Sequence, residues 1–179
     1  MNNLHIRSVF LILIPGCFYL STLAPSMGYR DTPEFVDTSF ASGISHPAGF
    51  PAYNLIAKAI TFLPLGSIAF RVNLFSTLLA CITLVVIYLS AIEIIKICLP
   101  ESSSESSIGT ALFPPALLAF SSPFWFNSLI AEVYTLHYFF TVLIIHLGVR
   151  DKIYPNLGTI HNLTYVIGEV TLRMNASYQ

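Results

Sequence analysis

The sequence contains few charged residues. Only 9% of its 179 residues are Asp, Glu, Lys or Arg, whereas 55% are hydrophobic. Soluble domains carry about 25% charged residues, and a soluble fold of this size could not cover its surface with so few. The formal net charge is −1 and no basic cluster is present. These features argue against a soluble protein and against nucleic acid as a partner.

Cysteine is also scarce, and the common catalytic motifs are missing. Cys17, Cys81 and Cys98 lie in or beside apolar segments without a CxxC spacing, which predicts small membrane hydrophobes rather than disulfides or metal ligands. The sequence has no glycine-rich phosphate loop, HExxH, GxSxG or nucleotide fingerprint. An enzyme of this kind would not use a soluble nucleotide fold within these residues, which leaves lipid-linked substrates as a natural option.

Long apolar stretches separate the few charges. A membrane-spanning helix needs about 20 mostly apolar residues. The sequence therefore predicts an all-α membrane protein, a multi-pass helical bundle with about four transmembrane helices. The first stretch could instead be a signal peptide, because Arg7 precedes a short apolar core and small residues follow it. The predicted spans cover about residues 8–25, 72–99, 108–126 and 128–149, and Pro114-Pro115 predicts a kinked or broken helix in the third.

Residues 26–70 form a predicted loop between the first two spans. Four charges fall within positions 30–37, and the segment 45–51 has turn chemistry. Apolar residues at 55, 56, 59, 60 and 63 predict a short helix that lies at the membrane surface or packs on the loop. If the N-terminus is cytoplasmic, this loop is extracytoplasmic, an orientation that the positive charges support only weakly.

The C-terminal part of the sequence has a different character. Residues 100–107 are polar and serine-rich, which predicts a solvent loop. Residues 151–179 are mixed and weakly patterned, and we expect a truncated or irregular tail on what is an N-terminal fragment of a longer protein.

Asp31 and Glu34 are the first candidates for chemistry. Three residues apart, they share one face if a helix begins at Thr32 or Pro33. At the membrane face such carboxylates can act as a general base on a hydroxyl acceptor or hold a divalent metal. The alternative is a solvated capping segment with Asp31 as the N-cap.

Glu132 is the second candidate, because an ionisable group near the start of an apolar span suggests function. Glu132 and Tyr134 could instead anchor the membrane interface. A transporter would place Glu132 and His137 on a solute path, and a non-catalytic scaffold is a third possibility. His46 could donate a hydrogen bond to a phosphate or serve the turn before Pro47.

Four motifs, in order, resemble those of one membrane-protein family. The segments are GYRDTPEF (28–35), GISHPAGFP (43–51), LPLGSIAFRVNL (63–74) and AEVYTL (131–136). They are similar to the family's D-S-G-E-F, G-I-A-H-P-P-G-Y-P, L-P-F-G-S-x-A-x-R-V-N-L and A-E-V-Y-x-L segments. The family is common in bacteria, its vertebrate member is a protein O-mannosyltransferase, and it belongs to the GT-C glycosyltransferases. The resemblance covers about residues 8–150.

The resemblance implies an activity and a set of site residues. It implies transfer of a sugar from a polyprenyl- or dolichyl-phosphate donor to an acceptor hydroxyl on a protein or glycan. The enzyme would lie in a bacterial plasma membrane or the endoplasmic reticulum membrane, with no certain cofactor and a divalent metal as an option. Asp31 would be the catalytic base and Glu34 would assist it, and Thr32-Pro33 in place of the family's Ser-Gly would stiffen the loop. The implied supporting, substrate-binding residues are Arg30, His46, Arg71 and Glu132.

Overall fold

The computed structural model describes residues 2–47, 49–99 and 109–153, and these residues form helices without a strand. The all-α prediction is therefore confirmed for the described part of the chain. The predicted serine-rich loop, residues 100–107, lies outside the described residues, as does the predicted tail after residue 153. The helices are α1 (Asn2–Thr22), α2 (Thr32–Ala41), α3 (Pro51–Thr61), α4 (Ile68–Cys98), α5 (Phe113–Ala119), α6 (Ser122–Ser128) and α7 (Tyr134–Ile153).

Helix α4 is the longest element and the centre of the fold. Its first turn is capped by Ser67, whose hydroxyl accepts the Phe70 N–H at 3.1 Å. At 1.5 Å per residue, its 31 residues extend over about 46 Å. Within the described residues it alone is long and apolar enough to cross a membrane. The predicted second span is thus present as a helix, while the number of membrane crossings stays a prediction.

The other described helices all pack against α4. Helix α1 runs antiparallel to it: Pro25, beyond the end of α1, lies beside Ser67, and Leu11 packs with Tyr88 nearer the other end of α4. The buried Tyr19 donates its hydroxyl to the Ala119 carbonyl at 2.7 Å and joins α1 to α5. These contacts fix the ends of neighbouring helices against each other.

The predicted third span differs from the structure. It consists of two helices, α5 and α6, of seven residues each, so neither could cross a bilayer alone. The chain is interrupted twice, by a turn at residues 111–112 directly before the two prolines and again at Phe120 and Ser121. Pro114 and Pro115 occupy the first turn of α5, where a missing backbone N–H costs little and the fixed φ favours a helix start.

Helix α3 turns its apolar stripe outward. Its buried residues are Tyr53, Asn54, Ala57 and Thr61, whereas Leu55 is 73% exposed. The stripe therefore packs little against the described part of the chain. This orientation agrees with the predicted helix at the membrane surface, since such helices immerse an apolar face between lipid headgroups.

A single buried amide joins three parts of the chain at one end of α4. Asn73 is fully buried. Its Nδ2 donates to the carbonyls of Ala24 at 2.8 Å and Ser26 at 3.1 Å. Its Oδ1 accepts the N–H of Ala131 at 2.8 Å. This one side chain holds the segment after α1 and the segment before α7 against α4.

We predict that Asn73→Leu destabilises the protein because it leaves the buried Ala131 N–H without its partner. An orphaned buried group costs about 1–3 kcal/mol, so the thermal unfolding temperature in detergent should fall by several degrees. Thr83→Val is the matched control, since it removes a buried hydroxyl of α4 that bonds only to the Leu79 carbonyl of the same helix. Equal melting temperatures for the two variants would contradict the role assigned to Asn73.

Candidate functional site

The acidic segment lies at the start of α2, at the end of the bundle where α1 ends and α4 begins. Asp31 occupies the N-cap position, Thr32 begins the helix and Pro33 lies in its first turn, as predicted. The Asp31 side chain makes no capping hydrogen bond and is exposed. An N-cap aspartate usually accepts a first-turn N–H. Its carboxylate therefore remains available to a ligand.

Glu34 has a different environment from Asp31, because it is bonded to His46. Its carboxylate accepts both the backbone N–H of His46 and, at 2.9 Å, a bond from the His46 Nδ1. The two side chains are 36% and 41% exposed. The hydrogen bonds from His46 lower the pKa of Glu34, and those to Glu34 raise the pKa of His46. With His46 protonated, the two side chains form an ion pair that holds the 43–51 segment against α2.

A buried polar network supports the segment that carries His46. Ser45 lies between Thr38 on α2 and Asn54 on α3, with oxygen–oxygen distances of 3.1 and 3.2 Å. The Asn54 amide also donates to the Gly49 carbonyl at 3.1 Å. Gly49 has a φ of 79° and Phe50 a φ of 43°, and these left-handed residues turn the chain into α3. Sequence reasoning missed Thr38 and Asn54, whose only signal was polarity on the buried faces of short helices.

Glu132 is distant from the acidic segment in the sequence but contacts it in the fold. It lies in the connection between α6 and α7 and is 2% exposed. Its Oε1 accepts the backbone N–H of Asp31 at 3.3 Å. Burial raises the pKa of the Glu132 carboxyl, and the Asp31 N–H partly opposes this shift. The structure thus joins two predicted site residues that are 101 positions apart.

Arg30 adopts a strained backbone conformation between Tyr29 and Asp31. Its φ is 61°, in the left-handed region that non-glycine residues rarely enter. Such a conformation costs of order 1–3 kcal/mol and persists where surrounding contacts impose it. The guanidinium lies 5.5 Å from the centre of the Phe126 ring, at the distance of a cation–π contact. The exposed Arg30 side chain is thereby held next to Asp31.

Arg71 has a different environment from the other predicted substrate-binding residues. Its guanidinium donates to the carbonyls of Thr61 and Leu65, both at 2.6 Å, and of Gly66 at 2.9 Å. These bonds close the connection between α3 and α4. The contacts are those of a residue that shapes the loop, and a role for Arg71 in binding substrate stays a prediction.

The remaining predicted features have simple positions. Tyr134 and His137 lie in the first turn of α7 and are exposed. Across the described ranges, no three His, Cys, Asp or Glu side chains are arranged to hold a metal ion. The divalent metal considered from the sequence thus finds no ready set of protein ligands in this part of the chain. Cys17, Cys81 and Cys98 are free thiols.

The arrangement of Asp31, Glu34, His46 and Glu132 lies within a region that matches a known family. The model of the protein O-mannosyl-transferase TMEM260 N-terminal domain matches residues 31–167. The chain belongs to this family. The match confirms the resemblance drawn from the four motifs, and it begins at Asp31 itself.

Two relatives of the TMEM260 family show how much of a longer protein this chain matches. It is 28% identical over 144 residues to the mouse protein O-mannosyl-transferase TMEM260, covering 80% of the chain and 19% of the mouse protein. It is 22% identical over 154 residues to the protein of the same name from Dictyostelium discoideum, covering 83% of the chain and 18% of that protein. The chain thus spans about a fifth of the length of these relatives. No solved structure matches it significantly.

We predict that the His46 ring titrates above its ordinary pKa of 6.5 and that Glu34→Gln lowers this pKa, since the glutamine lacks the charge that favours the protonated ring. Histidine NMR of the purified protein in nanodiscs measures both values. Asp37→Asn on the same helix is the control and should leave the His46 pKa unchanged. If the pKa of His46 were the same in Glu34→Gln as in the parent protein, this result would contradict the ion pair.

The same pair sets a direction for stability. Because the pKa of His46 is raised in the folded protein, its contribution to the free energy of unfolding is complete below pH 6.5. This contribution is lost as pH rises through the raised pKa. Because the pKa of Glu34 is lowered, its contribution is present above pH 4.5 and is lost as pH falls through the lowered value. The 43–51 segment is therefore held most firmly in mildly acidic to neutral solution.

Proposed function

We propose that this chain is the N-terminal catalytic part of a protein O-mannosyltransferase-like enzyme of the GT-C type. The enzyme transfers a sugar from a polyprenyl- or dolichyl-phosphate donor to an acceptor hydroxyl on the extracytoplasmic side of a membrane. Asp31 is the base that removes the hydroxyl proton as the lipid phosphate leaves. Both relatives named above are called protein O-mannosyl-transferases, which favours a protein acceptor and mannose as the sugar.

The observation that carries this proposal is the free carboxylate of Asp31. Asp31 is exposed and makes no capping bond, while neighbouring Glu34 is occupied by His46. Of the two carboxylates on this turn, Asp31 is therefore the one able to accept a proton from an incoming hydroxyl. Arg30, held beside it over Phe126, provides a cation suited to a phosphate oxygen.

The distribution of charge favours a transferase over the transporter alternative. The charged residues of α4 are Arg71, Glu93 and Lys96, all towards its ends, and those of α7 are its last-turn residues 150–152. Glu132 precedes α7 instead of lying within it. A solute path would place ionisable groups in the middle of spanning helices. Here the Asp, Glu, Lys and Arg residues lie towards the helix ends, and Arg71 and Glu132 lie at the end that carries the acidic segment. The histidine within α7, His146, is bonded to Ser90 of α4.

We expect Asp31→Asn to reduce sugar transfer by about 10²-fold or more, which is the usual contribution of a general base. The substitution keeps the side-chain shape and removes only the basic oxygen. The assay uses the longest natural protein that contains this sequence, in membranes supplied with dolichyl-phosphate mannose and a serine- or threonine-containing acceptor protein. The readout is mannose incorporated per molecule of membrane-inserted enzyme.

The control for this experiment is Asp37→Asn. Asp37 is an exposed carboxylate on the same helix α2, so this change removes the same charge without touching the start of the helix. It should retain nearly full transfer. Full activity of Asp31→Asn would remove Asp31 from the mechanism, and equal losses in both variants would point to a general effect of charge.

The proposed orientation of the chain in the membrane can be tested separately. If α4 crosses the membrane, its two ends face opposite compartments. A membrane-impermeant maleimide should label the native Cys98 from the cytoplasmic side only. In a background with Cys17→Ser and Cys98→Ser, it should label Tyr29→Cys, whose native side chain is 80% exposed, from the extracytoplasmic side only. Labelling of both sites from one side would exclude this topology.

A further inference from the structure

The contact between Glu132 and the Asp31 backbone shows how the acidic turn is held. The side chain of Glu132 is buried to all but 2%, yet it points to a main-chain N–H and not to a cation of its own. The helix itself does not satisfy that N–H, because the N–H groups at a helix start lack intrahelical partners. Oε1 of Glu132 accepts it at 3.3 Å. The bond therefore fixes the orientation of the peptide between Arg30 and Asp31.

That peptide follows the strained residue of the site. Arg30 has a φ of 61°, and a non-glycine residue leaves this region unless a contact imposes it. The contacts that act here are the Glu132 bond on one side and the Phe126 ring under the guanidinium on the other. Phe126 lies in α6 and Glu132 lies in the connection that follows it. The turn and its supports thus form one unit across a long separation in sequence.

We propose that Glu132 is a positioning residue that fixes the Arg30–Asp31 turn through the Asp31 backbone and thereby keeps the Asp31 carboxylate clear of the helix cap. Released from Glu132, the turn relaxes out of the left-handed conformation. The Asp31 side chain then rotates onto a first-turn N–H, as N-cap aspartates usually do. Glu132 acts as a hydrogen-bond acceptor in this role, so its negative charge is not required.

The test compares Glu132→Gln with Glu132→Leu, which are both uncharged and similar in size. Only glutamine retains an oxygen that can accept the Asp31 N–H. A nitroxide spin label is attached at Tyr29→Cys, two residues before Asp31, in the Cys17→Ser, Cys98→Ser background. Because position 29 is 80% exposed, the label reports the motion of the backbone, and it should be equally mobile in the parent protein and in Glu132→Gln and clearly more mobile in Glu132→Leu. Equal mobility in both variants overturns the proposal.

Hydrogen exchange in the unsubstituted protein provides a measurement that does not depend on how a variant folds. A residue at the N-cap position has an N–H that exchanges rapidly unless another group accepts it. The Asp31 amide should exchange at least ten-fold more slowly than the amide of exposed Tyr29. Equal exchange at the two positions would contradict the bond on which the proposal rests.

A kinetic arm rests on the proposed function and separates positioning from substrate binding. Displacement of a reacting group by about 1 Å can cost about 10²-fold in rate. Glu132→Leu should therefore lower kcat for sugar transfer by about 10–100-fold while the acceptor KM stays within two-fold, and Glu132→Gln should recover most of kcat. A change confined to KM would assign Glu132 to substrate binding and overturn the positioning role. If Asp31→Asn leaves transfer intact, the proposed function fails, while the spin-label and exchange results still decide the role of Glu132.

Discussion

The amide of Asn73 is the constraint on which the candidate site depends. A buried amide is unfavourable unless its hydrogen bonds are satisfied, and those of Asn73 go to Ala24, Ser26 and Ala131. The first two lead into the acidic segment and the third adjoins Glu132. This side chain therefore bridges two segments that also meet directly, since the Ala24 N–H donates to the Leu129 carbonyl at 3.3 Å. The bond from Asp31 to Glu132 lies between the same two segments.

Within the site, similar carboxyl groups have different environments. Glu34 accepts two hydrogen bonds from His46, and both of its carboxylate oxygens serve to hold the loop. Glu132 is buried and accepts a backbone N–H. Asp31 is exposed and free of the helix cap. Structural bonds occupy two of the acids, so the third is the one that can exchange a proton with a ligand.

The sequence predicted the local features of this arrangement and missed the long-range ones. The start of α2 after Asp31 follows from a proline in the first turn, and α4 follows from an uninterrupted apolar run, since both signals lie within the helix itself. The pairing of Asp31 with Glu132 depends on the path of the chain between them, and no local pattern encodes it. For the same reason, the sequence could not show whether the apolar stripe of α3 faces the membrane surface or packs on the loop.

The site also explains why a local rule is broken at Arg30. An arginine at a φ of 61° and an N-cap aspartate that does not cap both lower the stability of α2. Proteins retain such costs where neighbouring contacts impose them and the resulting geometry has a use. Here the imposing contact comes from a buried acid whose own burial is unfavourable. The φ of Arg30, the missing cap at Asp31 and the burial of Glu132 are each unfavourable, and all three occur at one turn. Together they leave the Asp31 carboxylate exposed and held in position, which is what proton abstraction from an incoming hydroxyl requires.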